Sequence, residues 1–477
     1  MTQTTALAPR TTPHPTATPG HPRSGGRWGR LWRGDPGAPS WSRPAVLALL
    51  VGTGLLYLWG LSASGWANSF YAAAAQAGSE SWTAMLFGSS DAANAITVDK
   101  TPASLWVMAL SIRVFGLSSW SLLVPQALMG VASVGLLHAT VRRSTGSAAA
   151  GLIAGAILAL TPVAVLMFRF DNPDALLVLL MVAAAAATLR ALDGQPKRWL
   201  ALAGALVGLA FLTKMLQAFL VLPALALVYL LVAAVPVWRR IGHLLLAFAS
   251  MLVAGGWWIA LVELWPADSR PYVGGSQTNS ILELTLGYNG LGRLTGNEVG
   301  SVGGGNGWGT PGWLRMLGSE AGTQIGWLLP AALILLAGGL WFGRRAPRAD
   351  RARAGLVLWG TWLLVTGLTF SFMAGIFHAY YSVALAPAVA AVIAIGCHLL
   401  WQDRTSSAAA LVLAATVALT TGFTWHLLSQ TPDFLPWLRW PVVVLGLPAA
   451  LLIGLRSHLP HRVAAGAAGL ALVAVLA

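Results

Sequence analysis

Long apolar runs, separated by short polar or basic stretches, occupy most of the chain from residue 44 onward. A helix needs roughly 20 apolar residues to cross a bilayer, and most of these runs come close to that length. The pattern therefore predicts an all-α polytopic membrane protein with about 12–13 transmembrane helices. The runs cover residues 44–64, 119–141, 148–168, 175–190, 199–213, 216–236, 243–264, 324–343, 354–372, 381–400, 408–428, 440–456 and 463–477.

The chain divides into a tail and one membrane domain. Residues 1–43 are rich in Pro, Thr, Gly and Arg and show no apolar period, which predicts a disordered basic tail. Its arginines precede the first span and favour a cytoplasmic position. Residues 44–477 form the multi-span domain, which carries two long outer loops at 65–118 and 265–323.

The first outer loop is predicted to carry helices that lie at the membrane surface. Two small amphipathic pieces fall near 68–78 and 80–88, and the apolar stretch 102–117 is short for a span. Successive spans cross the membrane in opposite directions. The later arginine pairs therefore face the cytoplasm only if residues 102–117 do not form a transmembrane span. We therefore expect an interfacial helix there, with a short extra span as the alternative.

Composition supports a membrane location. Hydrophobic residues make up 56% of the 477 residues and charged residues only 9%, against about 25% charged in soluble domains. This excludes a cytosolic enzyme and a nucleic-acid-binding protein despite the net charge of +14. Most arginines lie at predicted cytoplasmic ends, so the charge mainly sets topology. The single cysteine, Cys397, excludes a disulfide framework.

The remaining charges cluster at predicted outer ends of the spans. Asp99 and Lys100 precede Pro102, which suits the first turn of a helix, and a helix N-terminus beside a lysine attracts anionic groups. Asp99 could equally act as an ordinary helix cap. Asp91 lies a short distance before them in the same loop. From the sequence alone, Asp99 is either a helix cap or a catalytic acid.

A second group of charges surrounds the third and fourth predicted spans. Arg169, Asp171 and Asp174 lie at the outer end, where they face either water or a hydrated cavity. Lys214 stands in a run otherwise free of charge. It faces a polar cavity or extends its amine to the membrane surface, and we favour the cavity because its neighbours offer no polar surface.

Two further segments complete the candidate site. The Gly-rich middle of loop 265–323 lacks the Gly-Lys-Ser/Thr ending of a phosphate-binding loop and is interpreted as a mobile cover. His378, Tyr380 and Tyr381 begin a span and are either interface residues or head-group contacts. Carboxylates and cations at the outer face, surrounded by apolar residues, suit a substrate with an anionic head and a lipid tail.

Four passages resemble a known family. They are VDKTPASLW, VLMFRFDNPDALL, GLAFLTKM and FHAYYSVALAP, in this order along the chain. They are similar to membrane glycosyltransferases of the C-type fold that use polyprenyl-phosphate sugars. These include the family 39 protein O-mannosyltransferases, the lipid A aminoarabinose transferases and a bacterial mannosyltransferase-like branch. Together the passages and their surroundings cover most of residues 44–400.

The first outer loop departs from this family. The family usually carries an Asp-Glu pair just before a tyrosine, and its Asp is taken as catalytic. Here the matching stretch reads WANSFY, so Asn68 and Tyr71 stand there without a carboxylate. An asparagine cannot act as the base, so either Asp91 or Asp99 supplies it or the activity differs. Lys100 is followed by Thr101 instead of the commoner proline.

The resemblance implies inverting transfer of a sugar from a polyprenyl-phosphate donor to a lipid, glycan or protein acceptor outside the plasma membrane. Asp91 is the expected base. Asp99 and Asp174 are expected to bind the acceptor or a divalent metal ion, of unknown identity. The residues expected to contact phosphate or other parts of the substrates are Lys100, Arg169, Lys214, Asn68, Tyr71, Asp171, His378, Tyr380 and Tyr381.

Two other functions stay open at this point. A lipid-linked sugar flippase or transporter would show paired internal repeats, and no convincing half-to-half similarity is visible. A catalytically inactive relative would explain Asn68. Relatives often continue into a soluble domain and the last run, 463–477, is short for a span, which leaves open whether the chain is a fragment.

Overall fold

The computed structural model describes residues 39–297, 309–403 and 406–476. Most of the predicted tail and the Gly-rich middle of the second loop lie outside these residues. Within them the secondary structure is helical apart from two isolated β-bridges, so the all-α class is confirmed. Eight helical segments are long and apolar enough to cross a membrane, and five apolar helices are shorter.

The main helices follow the predicted runs closely. They are α1 Ser42–Leu58, α2 Ser69–Glu80, α3 Trp82–Phe87, α4 Ala103–Phe115, α5 Ser119–Thr145, α6 Ala148–Leu160, α7 Pro162–Met167, α8 Asp174–Asp193, α9 Pro196–Lys214, α10 Leu222–Val232, α11 Val237–Leu264, α12 Leu329–Phe342, α13 Arg351–Phe372, α14 Ala386–Gln402, α15 Ser407–Gln430, α16 Arg439–Gly454 and α17 His461–Leu476.

The three helices expected in the first outer loop are present as α2, α3 and α4. Asn68 begins α2 by accepting a hydrogen bond from the backbone N–H of Phe70, and Ser81 begins α3 in the same way through Ala84. Both residues are favoured caps because their side chains satisfy backbone donors that have no helical partner. The position of α4 relative to the bilayer surface stays a prediction.

The predicted span 148–168 is interrupted. Helix α6 ends at Leu160, and α7 begins at Pro162. Proline has no backbone N–H and is tolerated in a first helical turn, whereas it breaks a continuous helix. The apolar pattern missed this break because both pieces are equally hydrophobic.

The chain reverses direction between α9 and α10, as the two predicted spans require. The backbone turns at Met215, which has a φ of 47°, and a 3₁₀ segment leads into α10. Tyr229 near the end of α10 shares a buried cluster with Leu200 near the start of α9. The chain therefore returns to the end of the bundle from which α9 started.

Helix α8 connects two chemically different ends of the bundle. Its 20 residues span about 30 Å, close to the hydrocarbon thickness of a bilayer. At its C-terminus Asp193 accepts from Arg143 at 2.7 Å and from Arg351 at 2.8 Å. We call this the basic end. Asp174 begins α8 at the opposite end, which carries the candidate site.

Candidate functional site

Asp99 and Lys100 form one half of the site, immediately before α4. The Lys100 amine donates to Asp99 Oδ2 at 2.8 Å and to Asn289 Oδ1 at 2.7 Å. The backbone here is fixed by Thr101, whose hydroxyl donates to the Phe211 carbonyl at 3.0 Å. Pro102 occupies the cap position of α4 and Asp99 makes no cap bond, so the acid is directed to the lysine instead.

Nearby charges oppose the effect of burial on the pKa values of Asp99 and Lys100. Burial raises the pKa of Asp99, but the nearby Lys100 and Arg293 outweigh it and hold the pKa below its ordinary value. Burial lowers the pKa of Lys100, and Asp99 only partly restores it. An ionised carboxylate of this kind orients cations well but is a weak acceptor of a proton at neutral pH.

Asp174 and Lys214 form the other half. The Lys214 amine donates to Asp174 Oδ1 at 2.7 Å, and both side chains are buried. Their positions follow from the helices, because Asp174 begins α8 and Lys214 ends α9, which packs antiparallel to it. Lys214 also lies 4.3 Å from the centre of the Tyr381 ring. The lysine therefore belongs to the interior and does not extend to the membrane surface.

A cavity of about 130 Å³ lies between these two halves. It is lined by Lys100, Lys214 and Arg293, and by Tyr381, Asn289 and Gln217. Apolar residues complete its wall; they are Leu216, Leu220, Leu291, Leu294, Phe370 and Met373. The three cations that line this small space favour a compact anion, and two of them are also paired with acids, Lys100 with Asp99 and Lys214 with Asp174.

The second outer loop supplies residues that the sequence analysis did not select. Residues Leu284–Leu291 form a π-helix, a rare form that is frequent at functional sites. It places Asn289 so that its amide donates to the Asp99 carbonyl at 2.7 Å. Arg293 follows one turn later and stacks over Tyr288. In the sequence, the four-residue spacing of Asn289 and Arg293 places both on one face of a helix. The spacing does not show which other part of the protein that face contacts.

His378, Tyr380 and Tyr381 pack together at the start of the segment that leads into α14. The rings of His378 and Tyr380 are stacked with centres 5.1 Å apart, and Tyr381 lies edge-on to both. Burial lowers the pKa of His378, and the cations Lys214, Arg293 and Lys100 lower it further. The histidine is therefore neutral at pH 7 and offers a hydrogen bond without a charge.

Asn68 and Tyr71 bring the first loop to the same end of the bundle. The Asn68 backbone N–H donates to Asp171 Oδ1 at 2.7 Å, and its side-chain amide donates to Asn172 at 2.9 Å. Tyr71 is buried, and its pKa is raised by burial and by the nearby Asp99. The structure thus brings together residues that lie more than a hundred positions apart in the chain.

Among the candidate residues, Lys100, Lys214 and Tyr381 line the cavity, whereas Asp91 and Arg169 bind backbone groups away from it. The Asp91 carboxylate accepts from the Ala95 backbone N–H in a partly exposed turn. The Arg169 guanidinium donates to the Leu56 carbonyl at 2.6 Å, at the C-terminal end of α1. A cation is favourable at that position because the last carbonyls of a helix carry partial negative charge. Both residues hold local structure together, and their expected catalytic or phosphate-binding roles stay predictions.

The carboxylates do not form an evident metal site. No group of three or more His, Cys, Asp or Glu side chains suited to a metal ion occurs in the part of the chain that the structure describes. Asp99 and Asp174 each bind a lysine amine. A divalent ion would have to replace at least one of these lysines, so we derive no step through a metal.

Sequence comparison identifies bacterial relatives. The chain is 33% identical to the protein named "Putative mannosyltransferase YycA" of Bacillus subtilis (strain 168), over 87% of this chain and 73% of that protein. It is 32% identical to "Putative mannosyltransferase YkcB" of the same organism, over 81% of this chain and 66% of that protein. Residues 99–259 match the family described as dolichyl-phosphate-mannose-protein mannosyltransferase.

The fold is shared with a solved membrane protein structure, that of ArnT. ArnT from Cupriavidus metallidurans, solved bound to undecaprenyl phosphate, superimposes with a TM-score of 0.56 at 20% identity, over 90% of this chain and 76% of that chain. The fold and the relatives define a multi-pass membrane glycosyltransferase of the C-type fold. The chain belongs to the family of mannosyltransferase-like proteins that includes YycA. The resemblance drawn from the four sequence passages is confirmed.

Proposed function

We propose that the protein transfers a sugar from a polyprenyl-phosphate donor to a hydroxyl group of a lipid, glycan or protein acceptor. The observation that carries this proposal is the cavity lined by Lys100, Lys214 and Arg293. When the sugar leaves, the lipid phosphate gains one negative charge. Cations fixed at that point stabilise the charge as it develops, and such electrostatic stabilisation supplies much of the rate enhancement of many enzymes.

The rest of the cavity suits such a donor. Its apolar wall accommodates the first part of a lipid tail, while the cations hold the phosphate at the end of the bundle. The ArnT structure contains undecaprenyl phosphate, which supports a lipid of this class for the present protein. Direct attack of the acceptor hydroxyl on the anomeric carbon, opposite the phosphate, inverts the configuration at that carbon.

We place the reaction on the extracytoplasmic side of the membrane. The basic end carries the ion pairs of Arg143 and Arg351 with Asp193 and lies at the other end of α8 from the cavity. Arginine-rich ends usually remain in the cytoplasm. The cavity then opens to the outer face.

The divalent ion expected at Asp99 and Asp174 stays a prediction. It is tested by assaying transfer after treatment with EDTA and after restoring Mg²⁺ or Mn²⁺. Loss of transfer with EDTA and recovery with one of the ions would support it. Undiminished transfer in EDTA would show that the two lysines replace the metal as the partners of these acids.

The function is tested with membranes that contain the protein and a radiolabelled polyprenyl-phosphate hexose. We expect label to move to an acceptor in wild-type membranes. Arg293→Ala should raise KM for the donor roughly 10-fold or more, because a hydrogen bond to a charged group contributes about 1.5–3 kcal/mol. Arg344→Ala is the matched control, because Arg344 is exposed and donates to the Trp341 carbonyl.

Other outcomes of this assay would indicate a different function or a different donor site. Movement of the labelled lipid across the membrane without transfer would indicate a flippase. Neither movement nor transfer, with donors of several sugars, would indicate an inactive relative. Equal effects of the Arg293 and Arg344 variants would contradict the assignment of the cavity as the donor site.

A further inference from the structure

Asp171 has a contact pattern unlike that of the other acids near the cavity. Its side chain is completely buried in the short loop between α7 and α8. Oδ1 accepts the backbone N–H of Asn68 at 2.7 Å, whereas Oδ2 is buried without a hydrogen-bond partner. An ionised carboxylate accepts several hydrogen bonds, so one bare oxygen makes the charged form costly here.

The neighbours of Asp171 do not supply a compensating cation. Arg169 in the same loop donates to the carbonyls of Leu56 and Tyr57. Asp174, one helical turn later, is paired with Lys214. From the other packed elements, Tyr71 of α2 and Tyr380, whose side chain hydrogen-bonds Asn172, are neutral phenols. Burial therefore raises the pKa of Asp171 to about 7, opposed only in part by the backbone N–H groups of Asn68 and of Asp171 itself.

The other carboxylates are less suited to accept a proton. Asp99 and Asp174 are each held by a lysine amine, which stabilises the ionised form. Asp91 accepts a backbone N–H in a turn that is partly exposed. General base catalysis is most effective when the pKa of the base lies near the working pH. Asp171 and Asp174 each have one buried side-chain oxygen without a hydrogen-bond partner, but of these two Asp171 lacks a paired cation and contacts the first outer loop.

We propose that Asp171 is the proton acceptor of the transfer step and that Asn68 orients it. This inference rests on the proposed function. The acceptor oxygen forms a bond to the anomeric carbon, and the bond from that carbon to the phosphate oxygen breaks with its electron pair. The hydroxyl proton passes to Asp171 Oδ2. The lipid phosphate leaves with one additional negative charge beside the cations of the cavity.

The arrangement separates the two substrates. Asn68, which contacts Asp171, is partly exposed at the first outer loop, whereas Asp171 is fully buried, so this loop must shift for the acceptor hydroxyl to reach Oδ2. Asp174 lies three residues beyond Asp171 and binds Lys214, which lines the cavity. The acceptor hydroxyl would therefore meet the anomeric carbon between the Asn68 contact and the cations. The missing first-loop carboxylate is replaced by a carboxylate from the next loop.

Asp171→Asn tests this assignment. The amide oxygen can still accept the Asn68 N–H, so the contact that orients the loop is kept while the proton acceptor is removed. We expect kcat to fall roughly 10²–10⁴-fold with little change in KM for the donor. Asp268→Asn is the matched control, because Asp268 is exposed, and it should transfer at the wild-type rate. Monodisperse elution in detergent and unchanged donor binding establish that each variant is folded.

The pH profile separates a base from a structural residue. In the wild type, kcat/KM should rise up to about pH 7 and then level, because Asp171 must be ionised before it accepts a proton. The residual rate of Asp171→Asn should lack this rise. Wild-type transfer combined with an active Asp171→Asn variant of unchanged pH profile would overturn this proposal alone. Absence of transfer in the wild type would overturn the proposed function as well.

Discussion

Lys214 shows how a single charge in an apolar run acquires a partner. Its amine is bound by Asp174, and the aromatic rings of Tyr380 and Tyr381 lie within 5.5 Å of it. Taking both ions out of water is costly, and the cost is recovered only while the pair is intact. A buried ion pair therefore contributes little net stability by itself, and the position of this pair at the cavity supports the proposed role of Lys214 in holding an anion.

Changing one member of this pair should destabilise the protein. Lys214→Met leaves Asp174 buried and unpaired, which costs about 3–5 kcal/mol. The double variant Asp174→Asn with Lys214→Met removes both charges and should recover most of this stability. It should still raise KM for the donor, because one cation of the cavity is gone. Thermal unfolding in detergent measures the first effect, and donor titration measures the second.

Two results would contradict this account. A Lys214→Met protein as stable as the wild type would show that Asp174 finds another partner or is neutral. A double variant with wild-type KM would show that Lys214 does not contact the donor.

Helix packing beneath the site depends on close approach between α9 and α11. A Cβ atom added at Gly204 would lie 1.9 Å from the Ala247 carbonyl oxygen, and one at Gly208 would lie 2.5 Å from that of Met251. Small residues four positions apart let two membrane helices touch along their backbones. The contact fixes the helix that ends in Lys214.

Gly204→Ala should destabilise this helix pair. Overpacking typically costs about 1–3 kcal/mol, and the clash here is with backbone, so we expect the upper part of that range or more. Gly242→Ala on α11 is the matched control, since nothing lies within 4 Å of its added Cβ. Thermal unfolding in detergent should show a lower Tm for the first variant and no loss for the second. Equal Tm values would mean that the helices separate without cost.

The molecule as a whole places its chemistry at one end and its arginine cluster at the other. At the basic end, Arg240 donates to the Leu230 carbonyl, and Arg348 also donates to carbonyls at the end of α10. The arginines thus both close the ends of helices and favour a cytoplasmic position. Both features support the proposed orientation of the bundle, with the cavity at the outer face.

Cysteine labelling tests that orientation in a Cys397→Ser background. Ser64 follows α1 at the site end and Ser407 begins α15 at the predicted cytoplasmic side, and both are exposed. In intact cells, a membrane-impermeant maleimide should label Ser64→Cys and leave Ser407→Cys unlabelled. Both should react after the membrane is opened. The reverse pattern would place the cavity in the cytoplasm and contradict the proposed side of the reaction.

The sequence by itself determined the helices and most of their bounds. Apolar runs must be buried in lipid, and lipid requires that backbone groups be satisfied within each helix. The same reasoning found Lys100, Asp174 and Lys214, because charges in an apolar chain are few. It missed the break at Pro162, where hydrophobicity continues through the interruption.

Only the tertiary structure decided which of these charges meet. The spacing along the chain did not reveal that Lys100 contacts Asn289, or that Asn68 contacts Asp171. Such contacts depend on how α8, α9 and the two outer loops pack, and each loop is compatible with many positions before packing. Their surroundings then separated the acids: Asp171 is fully buried without a cation, and Asp99 is partly buried beside one. The charge state of each acid depends on those neighbours, and the residues next to it in the sequence do not reveal them.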